Sequence, residues 1–229
     1  MRILVTGGAG YIGSTAAHIL LERGFDVTVL DNLSTGKKRL VPKGARFVEG
    51  SILDKNAIQL GLGEADAVMH FAAKSLVGES VVKPEKYWST NVTGTATLLT
   101  AMRGMNVKKL VFSSSAATYG EPKSTPILES AETNPTNPYG ASKLATDHMI
   151  SSEAIAYGLA AISLRYFNVA GADPEARSGQ ATPRATQLLI SDRMSQNALS
   201  TFLGAFIFSV VGIIGLQIDI PDTDYIHRN

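Results

Sequence analysis

The chain has no cysteine among its 229 residues. That excludes a disulfide framework, thiolate-bound zinc and a cysteine nucleophile, and it fits a reducing, cytoplasmic setting. An excess of one charge is lacking too: 21 Lys and Arg stand against 20 Asp and Glu, with no basic block. A nucleic-acid partner therefore has no electrostatic footprint here. Met1-Arg2 runs straight into an apolar stretch, without the pattern of a secretory leader. There is no internal repeat and no low-complexity tract. What remains is a globular composition, long enough to bury a substantial core without metal or disulfide support.

Short strand-like runs, some of them continuously apolar, recur along the chain. They are Ile3-Leu4-Val5, Val27 to Leu30, Arg46-Phe47-Val48, Ala67 to Phe71, Leu110 to Ser113 and Ala161 to Arg165. Runs without alternation are what strands buried on both faces produce. Between them lie stretches with helical spacing: Ser14 to Arg23 (closed by Gly24), Trp88 to Met102, and Tyr139 to Tyr157. Strand and helix in alternation predict an α/β fold, a Rossmann-like doubly wound parallel sheet with helices on both faces.

The first strand ends in Thr6-Gly7-Gly8-Ala9-Gly10-Tyr11-Ile12-Gly13. Glycines at 7, 10 and 13 form a GxxGxxG variant of the dinucleotide fingerprint. One glycine permits the tight turn and the next lets the backbone approach a pyrophosphate. The third lets the following helix pack close on the sheet, so the pyrophosphate meets that helix's N–H groups and positive dipole end. Asp31 follows 18 residues after Gly13, at the end of the second strand. A carboxylate there accepts the ribose hydroxyls and repels a 2′-phosphate, and Asn32-Leu33 supply no compensating arginine. NAD is predicted over NADP; no metal is.

Downstream, Tyr139-Gly140-Ala141-Ser142-Lys143 puts Tyr139 and Lys143 on one helix face. A free tyrosine, with pKa near 10, is a poor base at neutral pH. A neighbouring ammonium together with the positive nicotinamide ring is expected to stabilise the phenolate and lower that value. Tyr139 could then take a proton from a sugar hydroxyl. Ser113-Ser114-Ser115 ends a buried strand at the carboxyl edge, where ligands bind in open parallel sheets. Ser115 is the predicted hydroxyl partner of Tyr139, with Ser114 the second choice.

Past Ala172 the composition changes. Asp173 to Pro183 is rich in Gly, Pro, Ser and charge, a linker composition. Ala198 to Ile218 is a run of 21 residues without charge; as a helix it spans about 30 Å, the thickness of a bilayer core. Arg184 and Arg193 precede it and Asp219, Asp222 and Asp224 follow, which would leave the amino-terminal domain cytoplasmic. A membrane-contacting helix, a buried core helix and a segment foreign to the domain are the readings it admits. The predicted division is 1–175 for the NAD-binding domain, 176–194 linker, 195–220 hydrophobic segment and 221–229 tail.

With these motifs assembled, the chain resembles the extended short-chain dehydrogenase/reductases, and within them the UDP-glucose 4-epimerases. The matching stretches are LVTGGAGYIGS (4–14), DNLSTG (31–36), HFAAKSLVGES (70–80), FSSSAATYGEP (112–122), NPYGASK (137–143) and LRYFNVAGA (164–172). The resemblance implies that Tyr11, Ile12, Asp31 and Asn32 hold the adenosine half of NAD. Phe71, Ala72, Ala73, Lys74 and Ser75 would line its middle, with Asn91 also a cofactor residue. Lys143 would bond the nicotinamide ribose, Tyr166 and Phe167 would flank the nicotinamide, and Asn168 would reach the substrate's diphosphate. It further implies 4-epimerisation of a UDP-hexose through a 4-keto sugar, with Ser115, Tyr139 and Lys143 catalytic. A homodimer would form through the YxxxK helix and the helix of Trp88 to Met102. Ser115 is followed by Ala116-Ala117 rather than the Asp-Glu pair of the 4,6-dehydratases, which argues against dehydration. The alternatives are an inactive or partial NAD-binding remnant, or a related nucleotide-sugar decarboxylase or reductase.

Two departures from the family pattern stand out. Where the family carries Gly-Asp-Ile or Gly-Asp-Val, this chain has Gly50-Ser51-Ile52. The Ser51 oxygen can still accept from the adenine amine, a bond worth about 1 kcal/mol net, so weaker NAD binding is expected. The family's small substrate domain is largely missing from the sequence, with only Asp224-Tyr225-Ile226-His227 echoing it.

Overall fold

A computed structural model of the chain describes residues 1–167 and 169. Asn168, the linker, the 198–218 segment and the tail lie outside the described residues.

The first strand, β1 (Arg2–Thr6), lies between β2 (Asp26–Asp31) and β4 (Ala67–His70), and β3 (Arg46–Glu49) flanks β2. On the other side β5 (Lys109–Ser113) pairs with β4, and β6 (Ala160–Leu164) pairs with β5. All pairings are parallel and the order is β3-β2-β1-β4-β5-β6. The strand order reverses between β1 and β4, so the loops leaving them diverge and open a crevice at their carboxyl ends. Leu4, Val5, Val29, Leu30 and Val68 are fully buried. This explains why β1, β2 and β4 read as unbroken apolar runs: helices cover both faces of the sheet.

The helices are α1 (Tyr11–Glu22), α2 (Lys55–Leu62), α3 (Val77–Val82), α4 (Pro84–Tyr87), α5 (Gly94–Gly104) and α6 (Pro138–Tyr157). Three of them went unseen in the sequence, α2, α3 and α4, none much longer than two turns. Asp54 caps α2, accepting from Asn56 N at 2.8 Å and Ala57 N at 3.3 Å. Asn137 caps α6, its Oδ1 accepting from Gly140 N at 2.9 Å, with Pro138 in the first turn and Gly158 ending it at φ 67°. The helix expected over Trp88 to Met102 is interrupted: Trp88–Thr93 is a π-type turn between α4 and α5. Hydrophobic spacing does not record the extra residue that such a turn inserts.

One side of the sheet packs Leu4, Leu30, Val68, Leu110 and Phe112 against Ile58 and Leu62 of α2, Leu98 and Met102 of α5, and Ile150 of α6. An ion pair from Arg103 to Glu153 at 2.8 Å ties α5 to α6 at the surface. The core thus fixes α6, which carries Tyr139 and Lys143, against the strand that ends in the serine run.

Candidate active site

The glycine loop sits on the end of β2 through Gly7 N, which donates to Leu30 O at 2.8 Å. Gly7 has φ +73°, and a Cβ on it would stand 2.6 Å from Ala72 N. A Cβ on Gly13 would be driven into the Gly7 carbonyl. Both positions require glycine for space, and the first also for its backbone angle. No side chain caps α1 at Gly10, so the positive end of that helix faces the crevice lined by Gly10, Tyr11, Ile12 and Gly13.

That crevice is a cleft of about 900 Å³. It runs from the glycine loop and Asp31-Asn32, past Ser51-Ile52 and the Phe71 to Ser75 segment, to Tyr139, Lys143, Tyr166 and Phe167. Residues predicted from scattered motifs are therefore brought onto one wall system. Asp31 does more than expected: its Oδ2 accepts from Ala9 N at 3.0 Å and its Oδ1 from Leu33 N at 2.8 Å. The carboxylate thereby ties the glycine loop to the end of β2. Ser51 Oγ already accepts from Leu53 N at 3.1 Å, which fixes the hydroxyl at the cleft edge.

At the other end, Ser115 and Tyr139 line the cleft together, and Ser115 Oγ accepts from Ala117 N at 3.1 Å. Ser114 turns the opposite way and donates to Asp147 Oδ2 at 2.9 Å, buried against α6. Of the two candidate hydroxyls, only that of Ser115 lies in the cleft lining. Ser113 lines it as well and shares a short hydrogen bond with the Tyr166 hydroxyl. Burial pushes the Tyr166 phenol up to about 12.

Lys143 is 3% exposed; its ammonium donates to Ser113 O at 2.8 Å and lies 4.8 Å above the Phe112 ring. Burial pulls its pKa down from 10.5 to about 8, with the Asp147 carboxylate one turn along holding part of that back. The expected lowering of Tyr139 by this ammonium is not what the chain alone provides. Burial raises the phenol above its ordinary value of 10.0, and the Ser115 hydroxyl offsets this only in part. The ammonium is directed instead at the Ser113 carbonyl.

Asn91 also differs from expectation. It stands one layer behind the cleft, with Oδ1 accepting from Lys74 N at 2.8 Å and Nδ2 donating to Lys74 O at 3.0 Å and Ser142 Oγ at 2.9 Å. Its amide holds the Lys74 segment against α6 rather than reaching into the cleft. Asp147 was not singled out from sequence. Its Oδ2 accepts from both Ser114 Oγ and Arg165 Nε, the latter at 3.1 Å, while its buried Oδ1 has no partner among the described residues. An acid four residues past Lys143 was the signal that could have found it. Among the described residues no cluster of His, Asp and Glu has the arrangement to hold a metal ion.

A phenol and a hydroxyl lining the same end of a cleft, near a buried cation, can pass a proton to or from a ligand hydroxyl. Residues 3–197 match the NAD dependent epimerase/dehydratase family. Among curated relatives, the UDP-glucose 4-epimerase of Streptomyces lividans is 62% identical over 175 residues, covering 75% of this chain and 53% of that protein. The one from Corynebacterium glutamicum is 59% identical over 172 residues, covering 75% and 52%. The crystal structure of UDP-glucose 4-epimerase from Brucella ovis in complex with NAD superposes with a TM-score of 0.73 at 48% identity, over 75% of this chain and 53% of that one. The chain spans about half the length of the relatives it matches. The glycine loop, the parallel sheet and the match over most of the chain agree: it belongs to the NAD dependent epimerase/dehydratase family.

Proposed function

We propose that the chain binds NAD and performs the 4-epimerisation of a UDP-hexose, interconverting UDP-glucose and UDP-galactose. The observation that carries this reading is the pair Ser115 and Tyr139 lining one end of a cleft whose other end is the glycine loop.

The cleft fits the dinucleotide on grounds of shape and charge. Gly7 and Gly13 let the loop close tightly on the Phe71-Ala72 backbone and on itself, and the uncapped amino terminus of α1 offers a positive end to a pyrophosphate. Asp31 at the tip of β2 offers acceptors to the adenosine ribose and disfavours a 2′-phosphate. Lys74, which lies 3.4 Å from Ser34 Oγ across the cleft, adds a cation between the two halves. Tyr166 and Phe167 give an apolar wall at the nicotinamide end. Bound there, NAD supplies first an acceptor and then a donor of hydride for C4 of the sugar, so none is consumed.

The chain's own residues manage the proton. Tyr139 takes it from the C4 hydroxyl as the 4-keto sugar forms and gives it back after the sugar has turned over. Ser115 holds the reacting oxygen and shares the proton with the phenol. Lys143 supplies positive charge beneath both through the Ser113 carbonyl that it fixes. Ala116 and Ala117 follow Ser115, so no carboxyl group stands next to it to eliminate water.

Purified chain with NAD and UDP-galactose should yield UDP-glucose, and Tyr139→Phe should lower the rate by two to four orders of magnitude (roughly) while leaving NAD binding intact. Folded, NAD-saturated protein with no interconversion, or an unchanged rate in Tyr139→Phe, would sink the reading.

We also propose a homodimer. Leu76, Val81 and Val82 of the α3 region, and Trp88, are apolar side chains 43–75% exposed in one chain. Sedimentation equilibrium at monomer mass would count against it. Among the described residues no helix is long and apolar enough to cross a membrane.

A further inference from the structure

Beneath the cleft lies a chain of buried polar side chains to which the reaction gives no part. Thr6, His70, Asn91, Thr95, Ser142 and Thr146 are each 2% exposed or less. Thr6 Oγ1 lies 2.7 Å from His70 Nδ1, and His70 Nε2 lies 2.8 Å from Thr95 Oγ1. Thr95 Oγ1 donates to Asn91 O at 2.6 Å; Asn91 Nδ2 donates to Ser142 Oγ, which donates to Tyr139 O at 2.7 Å.

The proton positions in this chain follow from counting. Thr95 has one hydroxyl proton and uses it on the Asn91 carbonyl, so its oxygen must accept from His70. His70 therefore carries its proton on Nε2, and Nδ1 accepts from the Thr6 hydroxyl. Burial, with a smaller contribution from the Lys143 charge, pulls the imidazole pKa down to about 3, so it stays neutral and the assignment holds across ordinary pH.

The members are placed at the roots of three separate segments. Thr6 is the residue before Gly7, and His70 is the residue before the Phe71 to Ser75 segment. Ser142 is in the first turns of α6, where Tyr139 sits, and Asn91 grips both the Lys74 backbone and Ser142. Apolar residues would fill this space without the risk of unpaired buried groups. A polar network repays that risk only when every member is satisfied, and then it fixes one geometry.

We propose that His70 and Thr95 are positioning residues, which lock the glycine loop, the 71–75 segment and the first turn of α6 in one register so that dinucleotide and Tyr139 meet correctly. This rests on the reading of the cleft as an NAD site serving Tyr139. Reaction rates are steeply sensitive to such register, with about 1 Å of misplacement able to cost on the order of a hundredfold.

The test uses the full chain. In ¹⁵N-histidine NMR spectra, His70 should show a protonated Nε2 and an unprotonated, hydrogen-bonded Nδ1. Thr95→Val keeps the shape and removes both bonds. We expect kcat to fall by about tenfold or more with KM moving less than about threefold, and Thr95→Ser to restore kcat to within about threefold. NAD affinity, read by titration calorimetry, should weaken at least about threefold in Thr95→Val. Should that variant not fold, Ser142→Ala opens the same chain at its other end, and a kcat loss of about threefold or more is expected there. His70 protonated on Nδ1 overturns the proposal, as does parental kcat in folded Thr95→Val, or in Ser142→Ala where Thr95→Val does not fold. If the parental chain proves unable to epimerise, the functional reading has failed separately. The tautomer and the NAD affinities then decide the positioning role by themselves, and parental affinity in Thr95→Val, or in Ser142→Ala in its stead, overturns it.

Discussion

Lys143 makes this fold less stable than it could be at neutral pH, and replacing it with methionine should show by how much. Its ammonium is buried, and its pKa falls from 10.5 to about 8. Below about pH 8 the lysine is charged in both folded and unfolded chains, and the folded chain carries the desolvation cost of that charge. Between about pH 8 and 10.5 the unfolded chain binds the proton and the folded chain has released it, so stability must rise with pH. Going from about pH 7 to about pH 9.5, this one group should add about 2 kcal/mol to the unfolding free energy, at 1.36 kcal/mol per tenfold in proton affinity. Lys143→Met keeps the length and flexibility of the side chain and has nothing to titrate. The titratable neighbours coupled to the ammonium are His70 from β4 and Asp147 from α6. Of these His70 loses its proton far below the window, and Asp147 is common to both proteins. Urea unfolding by circular dichroism at the two pH values, with linear extrapolation, gives the needed difference of differences. The parental chain should gain about 2 kcal/mol relative to Lys143→Met on going to the higher pH, while the variant loses turnover. Parallel pH dependences in the two proteins would refute the buried, depressed ammonium and with it the electrostatic account of the site.

Four other substitutions separate parts of the site. Gly13→Ala drives a methyl group into the Gly7 carbonyl; NAD binding by calorimetry should be lost and thermal unfolding should show a destabilisation of about 1–3 kcal/mol. Asp31→Asn weakens the acceptors for Ala9 N and Leu33 N and removes the charge that repels a 2′-phosphate. NAD affinity should fall by about tenfold and the preference over NADP should shrink, which competition binding would detect. Ser115→Ala should cut turnover by at least about tenfold, whereas Ser114→Ala should mainly cost about 1–2 kcal/mol of stability by stripping a donor from buried Asp147. Equal effects of the two on kcat would refute the assignment of the hydroxyl.

Much of this architecture was legible because parallel strands and dinucleotide loops leave coarse marks. Both faces of β1, β2 and β4 are covered, so their apolar runs are unbroken, and the positions of Gly7, Gly13 and Asp31 have steric and electrostatic reasons that spacing alone conveys. The short elements α2, α3 and α4 left no such mark, since two turns offer too few apolar positions to establish a period. The π-type turn at Trp88–Thr93 was invisible for a related reason: it keeps helical composition and changes only the hydrogen-bond register.

The residues least legible were those acting through other residues, and they share a physical cause. A fingerprint reports which atoms a ligand needs, and Asn91, Asp147 and His70 meet ligand-independent needs: each satisfies backbone or side-chain groups contributed by segments far apart in sequence. Asn91 and Ser142 are 51 residues apart, Thr6 and His70 are 64 apart, and Ser114 and Asp147 are 33 apart. No local periodicity connects such pairs. The same distance explains the Tyr139 phenol. From sequence, Lys143 four residues along is its natural partner, because helix geometry brings the two together. In the fold the strand end intervenes, Ser113 O takes the ammonium, and Ser115 lines the cleft with the phenol. In the chain alone burial holds the phenol above its ordinary value, and that is a property of the tertiary arrangement that the YxxxK spacing alone does not contain.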